Sequence, residues 1–273
     1  DMAAEQRGDG TVSHFVLTGC GAEPSLLRYD LSGGVTSLDP QFADGESEQL
    51  VIYNMMEGLM RQLPSGELEN GVITGYEVSE DQTVYTFSLK EGMVWDDSEN
   101  TPVTAHDFVF AFQRIFNNIY PSPFASMYSS IHNSQKDLSG QASVEELGVK
   151  ALDDMTVQFT LDYADPAFLE SLAHSSAMPC SQKLFENANG KYGATIKETY
   201  SNGPFYLMQW ENGNRIYLKK NDKYYGAAEV QSPGIYLYMN RAVQTAAQKE
   251  AGQEAPSYFD LLMDGKSDGC LAD

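Results

Sequence analysis

Gly265-Lys266-Ser267-Asp268-Gly269 fits G-x-S-x-G, the turn that exposes the serine nucleophile of many hydrolases. That chemistry needs a strand before the serine, a helix after it and a histidine to accept its proton. Here a helical pattern, Ser257 to Met263, precedes the motif, and no His follows it. A helix C-terminal turn accounts for the same residues. Asp96, Ser98, Asn100 and Asp107 stand at positions 1, 3, 5 and 12 of a calcium-loop template. Thr101 replaces the glycine that gives such a loop its sharp turn, and Asp107 replaces the bidentate Glu. A long turn feeding a capped helix explains the stretch without calcium. The His at 14, 106, 132 and 174 and the Cys at 20, 180 and 270 have no metal-binding spacing. Neither a metal nor a cofactor is expected. His106 reads as a surface residue and Cys180 as a small buried one. No disulfide is expected, because three Cys cannot staple a chain of this size.

Leu17-Thr18-Gly19-Cys20 has the form of a lipid-attachment box, but such a box follows a 7–15 residue apolar stretch. Only Phe15-Val16-Leu17 precedes it, behind Glu5, Arg7, Asp9, Thr11, Ser13 and His14. A short strand ending in a glycine turn is the expectation. The first residue is Asp1, so processing or design is expected to have set the start.

These side chains sit in a strongly acidic chain. Over 273 residues, 17 Lys and Arg against 39 Asp and Glu give a formal charge of −22. Such a surface repels phosphate backbones and anionic lipid, which excludes nucleic acid as a partner. Apolar residues make up 42% and aromatic residues 11%, enough for a packed core. No run approaches the roughly 18 apolar residues of a membrane helix.

Local patterns predict the positioning elements. Leu26 to Leu31 reads as a strand running into Ser32-Gly33-Gly34. Val35 to Pro40 is extended, because the residue before proline is pushed out of the helical region. Ser47 is expected to cap a helix with Val51, Met55 and Leu59 on its buried face, Gly58 near its end and a Leu63–Gly66 turn beyond. Tyr85, Phe87 and Leu89 alternate with Thr86 and Ser88, the period of a half-buried strand. Thr104 and Asp107 form a capping box for a helix buried through Phe108, Phe112 and Ile115. Val149–Leu152, the Asp153-Asp154 turn and Val157, Phe159 and Leu161 predict a hairpin. Asp165-Pro166 predicts a helix with Pro at its first position. Phe205–Trp210, Arg215–Lys219 and Ile235–Met239 read as strands.

Seven segments, in order, carry a resemblance. They are Ser37-Leu38-Asp39-Pro40, Glu57-Gly58-Leu59, Tyr85 to Gly92 with Trp95, Thr101 to Val109, Leu147 to Asp154, Asn202 to Phe205 with Trp210, and Asn221 to Gly226. Together they resemble the family 5 extracellular solute-binding proteins, above all the oligopeptide binders, from about Leu27 to Asp268. The resemblance implies an α/β fold with mixed sheets (α+β), like lobe I of a type II periplasmic binding protein, with the second lobe absent. Residues 1–25 would be an N-terminal extension. Residues 26–63 and 181–265 would form a core subdomain, 64–180 an inserted subdomain, and 266–273 the start of a crossover to the second lobe. Family members are about twice as long and close two lobes on the ligand.

The resemblance implies a non-catalytic role: capture of an extracellular peptide for a membrane permease and its ATPase. It also implies a monomer attached outside the cell as a lipoprotein, or a periplasmic one. A lipid-bearing Cys upstream of Asp1, rather than Cys20, is expected. The peptide backbone would pair with an extended segment, for which Gly33, Gly34, Val35 and Thr36 are the candidates. Ser122-Pro123-Phe124-Ala125-Ser126 matches a segment whose aromatic faces the peptide, so Phe124 joins them, without the hydroxyl that members with Tyr carry. Asn202 and Gly203 complete the candidate set. Two departures stand out. The Trp95–Pro102 turn is two residues longer than usual and lacks Gly, and Gly34 stands where many members carry Glu. A nickel, haem or sugar ligand, or a sensor role, fits the same fold; a secreted hydrolase has only the rejected serine turn behind it.

Overall fold

The computed structural model describes residues 26–240 and, beyond them, Gly252 and Gly269–Cys270. In chain order the first elements are strand β1 (Leu27–Leu31), helix α1 (Glu46–Met55), strands β2 (Met60–Gln62), β3 (Leu68–Asn70), β4 (Ile73–Val78) and β5 (Val84–Leu89), and helix α2 (Ala105–Ile115). There follow α3 (Ser134–Leu138), β6 (Val149–Asp153), β7 (Thr156–Thr160), α4 (Phe168–Ser171) and α5 (Gln182–Asn187). The last strands are β8 (Phe205–Glu211), β9 (Arg215–Lys220), β10 (Gly234–Met239) and β11 (Gly269–Cys270).

Two larger sheets organise this mixed α/β fold. One is a five-stranded sheet in the order β11-β1-β10-β9-β8. Its β8–β10 meander is antiparallel, whereas β1 runs parallel to both β10 and β11. The other is an antiparallel sheet in the order β4-β5-β7-β6. A β2–β3 ribbon pairs Met60 with Asn70 and so bridges residues 63 and 64. The buried apolar side chains of both sheets, from Leu31 and Leu237 to Phe87 and Phe159, join one contiguous cluster.

The elements follow from the sequence where the period is clean. Tyr85, Phe87 and Leu89 are buried and Ser88 is exposed, as alternation demands. In α2, Asp107 Oδ2 accepts from the Thr104 amide at 3.1 Å, and Phe108, Phe112 and Ile115 are fully buried. Thr156–Thr160 pairs back on Val149–Asp153 as a hairpin.

Helix α1 departs from expectation at both ends. Gly45, not Ser47, precedes the first turn, and Ser47 Oγ accepts from the Gly33 amide at 3.0 Å. A long-range partner takes the hydroxyl that a cap would use. The helix stops at Met55, so Leu59 lies beyond it, because Ser201 Oγ and the Gly203 amide both donate to the Met55 carbonyl and Met56 turns extended. Every residue from Ser47 to Met55 is buried, the signature of a helix enclosed on all sides. At Asp165-Pro166 a turn comes first: Asp165 Oδ1 accepts from Ala167 N, its carbonyl accepts from Phe168 N, and α4 starts at Phe168. The expected helix at 257–263, the serine turn at 265–268 and the Cys20 segment lie outside the described residues.

A buried ion pair ties α2 to the segment before α1. Arg114 donates to Asp39 Oδ1 at 3.0 Å and Oδ2 at 2.5 Å, and to Gln41 Oε1 at 2.6 Å. The Phe185 ring lies 4.3 Å from the guanidinium carbon. Gln41 Nε2 in turn donates to the carbonyls of Ser176 and Met178. Cys180 is buried and free, and burial pushes its thiol up to about 12.

Candidate ligand-binding site

The segment leaving β1 is held from behind by the first turn of α1. Glu48 Oε1 accepts three bonds: Thr36 N at 2.8 Å, Thr36 Oγ1 at 2.7 Å and Ser37 N at 2.9 Å. Ser47 takes the Gly33 amide. Between these clamps Val35 buries its side chain, while Gly34 and Thr36 are exposed. Among the described residues, the backbone of Gly34 and Val35 makes no hydrogen bond. A Cβ built on Gly34 meets nothing within 4 Å. The structure thus brings Gly33, Gly34, Val35 and Thr36 together as one short ledge, clamped at Gly33 and Thr36 and unbonded at Gly34 and Val35 among the described residues.

Phe124 is half-buried, its ring 4.7 Å from that of His174. Its amide donates to Ser122 Oγ, whose hydroxyl donates to the Gln41 carbonyl. His174 Nδ1 lies 2.8 Å from Ser176 Oγ, and the Ser175 amide donates to Tyr53 Oη on α1 at 3.0 Å. Six residues along a helix span about 9 Å, so one helix both clamps the ledge through Ser47 and anchors the turn that carries His174.

Asn202 and Gly203 sit at the opposite end of α1. Asn202 Oδ1 accepts from Glu57 N at 3.1 Å, and Nδ2 donates to the Glu57 carbonyl at 2.9 Å. Gly203 packs so closely that a Cβ would lie 2.7 Å from the Met55 oxygen. Both residues are buried, and the amide is occupied by backbone. The sequence places them with the ledge; the structure gives them the job of fixing the end of the helix behind it. Glu57 Oε2 also accepts from the hydroxyls of Tyr224 and Tyr225. Burial, then the Glu57 charge, pushes both phenols above their ordinary range, so they remain donors. Three of the seven motifs therefore meet in one polar knot.

The residues of the calcium template are dispersed among other partners. Asp96 Oδ1 accepts from Ser201 N at 2.8 Å, and Asp107 Oδ2 accepts from Trp95 Nε1 at 3.0 Å. Asp97 closes the turn on Thr101, and Asn100 takes a left-handed φ of 53°. Burial raises Asp96 and Asp107 to about 6 each. Among the described residues, no three His, Cys, Asp or Glu side chains are grouped to hold a metal ion. A polar cleft of about 370 Å³, walled by Asp96, Glu99, Lys183 and Lys197, includes neither the ledge nor Phe124.

Sequence reasoning missed Glu48, took Ser47 only as a helix cap and weighed His174 only as a metal ligand. A glycine at the cap position conceals the usual S/T-x-x-E signal that would have pointed to Glu48.

The family model for bacterial extracellular solute-binding proteins, family 5, matches residues 67–255. This chain belongs to that family, a group of periplasmic or extracellular solute-binding proteins rather than enzymes. It is 34% identical over 243 residues to the periplasmic oligopeptide-binding protein OppA of Salmonella typhimurium, covering 88% of this chain and 44% of that protein. It is 29% identical over 235 residues to the probable deoxycholate-binding periplasmic protein YgiS of Escherichia coli, covering 85% and 43%. The structure of Listeria monocytogenes OppA bound to peptide matches with a TM-score of 0.79 at 26% identity, over 90% of this chain and 46% of that one. The chain therefore spans less than half the length of these relatives.

Proposed function

We propose that the protein containing this chain captures oligopeptides outside the cytoplasm and delivers them to a membrane permease driven by an ATPase. The observation that carries this reading is the Gly33–Thr36 ledge, held from behind by Ser47 and Glu48, with the Gly34 and Val35 backbone left without a partner among the described residues. Such an edge recognises the repeating amide of a peptide and is indifferent to its side chains. Phe124, with His174 behind it, supplies an aromatic surface for whatever side chain lies nearby. In this reading the chain is lobe I of a two-lobed trap of the type II binding-protein kind, acting as a monomer. Its core subdomain is built from 26–63 and 181–265 and its insert from 64–180. Attachment through a lipid-bearing Cys other than Cys20 belongs to the same proposal, and mass spectrometry of the native protein checks it.

The test is calorimetry of the full-length gene product with tri- to penta-alanine at about 100 µM, where a micromolar site saturates. The similarity to a probable deoxycholate binder supplies the rival ligand class. Binding of deoxycholate with no response to any peptide would replace the peptide reading.

A further inference from the structure

We propose that Glu48 is the positioning residue of the ledge, and that it acts by turning carbonyl groups outward as acceptors for ligand N–H donors. This rests on the reading of Gly33–Thr36 as the ligand-facing segment. Glu48 is buried on the first turn of α1, and one of its oxygens receives two consecutive backbone amides and a hydroxyl. In a trans peptide the C=O points opposite to the N–H. Drawing the Thr36 and Ser37 amides back onto Glu48 therefore aims the carbonyls of Val35 and Thr36 away from the helix. Neither carbonyl has a partner among the described residues. Ser47 does the same for the Ser32 carbonyl by holding the Gly33 amide. An amide whose N–H is bonded to an anion is polarised, and its oxygen becomes the better acceptor. The second Glu48 oxygen lies 3.4 Å from the Gly45 amide, so the side chain also ties the ledge to the start of the helix.

The chemistry implied for the ligand is a main chain that presents N–H groups in series. A purely structural Glu48 would support the helix and leave this donor requirement untouched. The two roles separate in a cycle of protein and ligand changes on the full-length gene product. The probes are tetra-alanine and its backbone N-methylated analogue, with amide hydrogen exchange followed at residues 33–37 and 49–55. Glu48→Ala is expected to bind tetra-alanine about tenfold more weakly, the cost of ordering roughly one more residue of backbone on binding. The preference for tetra-alanine over the N-methylated peptide should shrink with it. Thr36 and Ser37 should exchange faster while α1 keeps its protection. Glu48→Gln, which keeps an acceptor oxygen, should restore most of the affinity.

An affinity for tetra-alanine within about twofold of wild type in Glu48→Ala would overturn the proposal. So would a loss of affinity with the N-methyl discrimination intact, because that is the result of general destabilisation. If Glu48→Ala does not fold, Glu48→Gln decides, and free exchange of its Thr36 and Ser37 amides with wild-type binding refutes the clamp. If wild type binds no peptide, the functional reading fails separately. Thr36 and Ser37 amides that exchange freely in the wild type would then dispose of the clamp as well.

Discussion

Replacing Arg114 with Leu removes a cation from a buried site. The guanidinium makes two bonds to Asp39 and one to Gln41, and its face lies against Phe185. Leu keeps the apolar packing but leaves the Asp39 carboxylate and Gln41 Oε1 buried without their donor. Breaking one side of a buried pair typically costs about 3–5 kcal/mol, because the remaining charge stays desolvated. For a chain of this size that is a fall in Tm on the order of 10 °C. Thermal and urea melts followed by circular dichroism measure it. Adding Asp39→Leu tests the cause: with the orphaned charge gone, the double variant should regain at least about 1 kcal/mol over Arg114→Leu. A single-variant loss under about 1 kcal/mol, or a double variant no more stable than the single, would refute the idea that this pair holds α2 to the segment before α1.

The remaining expectations concern the same scaffold. Gly203→Ala places a methyl 2.7 Å from the Met55 carbonyl, and the backbone shift should cost about 1–3 kcal/mol in a urea melt. Asp96 and Asp107 sit at about 6, above the 3.8 of an unfolded aspartate. Their contribution is thus fully present below about pH 4 and is lost as pH rises through 6, by roughly 3 kcal/mol for each group. Asp107→Asn should therefore flatten the stability profile between about pH 4 and 6, and an unchanged slope there would contradict the assignment. Millimolar calcium should leave Tm unmoved, since Asp96 and Asp107 already serve Ser201 and Trp95; a rise abolished by Asp96→Ala would count against this. The 273-residue chain alone should melt cooperatively and bind peptides only at roughly millimolar strength, because one wall leaves a ligand half in water. Micromolar calorimetric binding by this chain would show that the ledge suffices.

Much of the scaffold was legible because its periods are short-range. The alternation of Tyr85, Phe87 and Leu89 and the Thr104–Asp107 box each encode a local geometry, and the structure has both. Helix α1 was harder to read. A helix buried on every side carries no amphipathic stripe, so Val51, Met55 and Leu59 suggested a face and an end that the chain does not have. The site resisted for another reason. Ser47 and Glu48 act on a segment 11–14 residues away, and Asn202 acts on Glu57 at a separation of 145. Such pairings are properties of the packed fold, and no window along the sequence contains both partners.

The pairing of Asn202 with Glu57 also bears on how the protein ages. Asn followed by Gly is prone to deamidation: the glycine amide nitrogen attacks the side-chain carbonyl, ammonia leaves, and water opens the ring to Asp or its isomer. In the native state the Gly203 amide is bonded to Met55 and both Asn202 side-chain atoms are held by Glu57, so the attack geometry is denied. The exposed turn at Asn212-Gly213 has no such shelter. Once the chain unfolds, the same dipeptide becomes a clock. A carboxylate formed at 202 would then face the Glu57 carbonyl it once donated to, and refolding would meet repulsion where it needs a bond. A molecule held unfolded long enough should lose its way back, and peptide mapping of heat-aged samples would find that loss tracking Asp or isoaspartate at position 202.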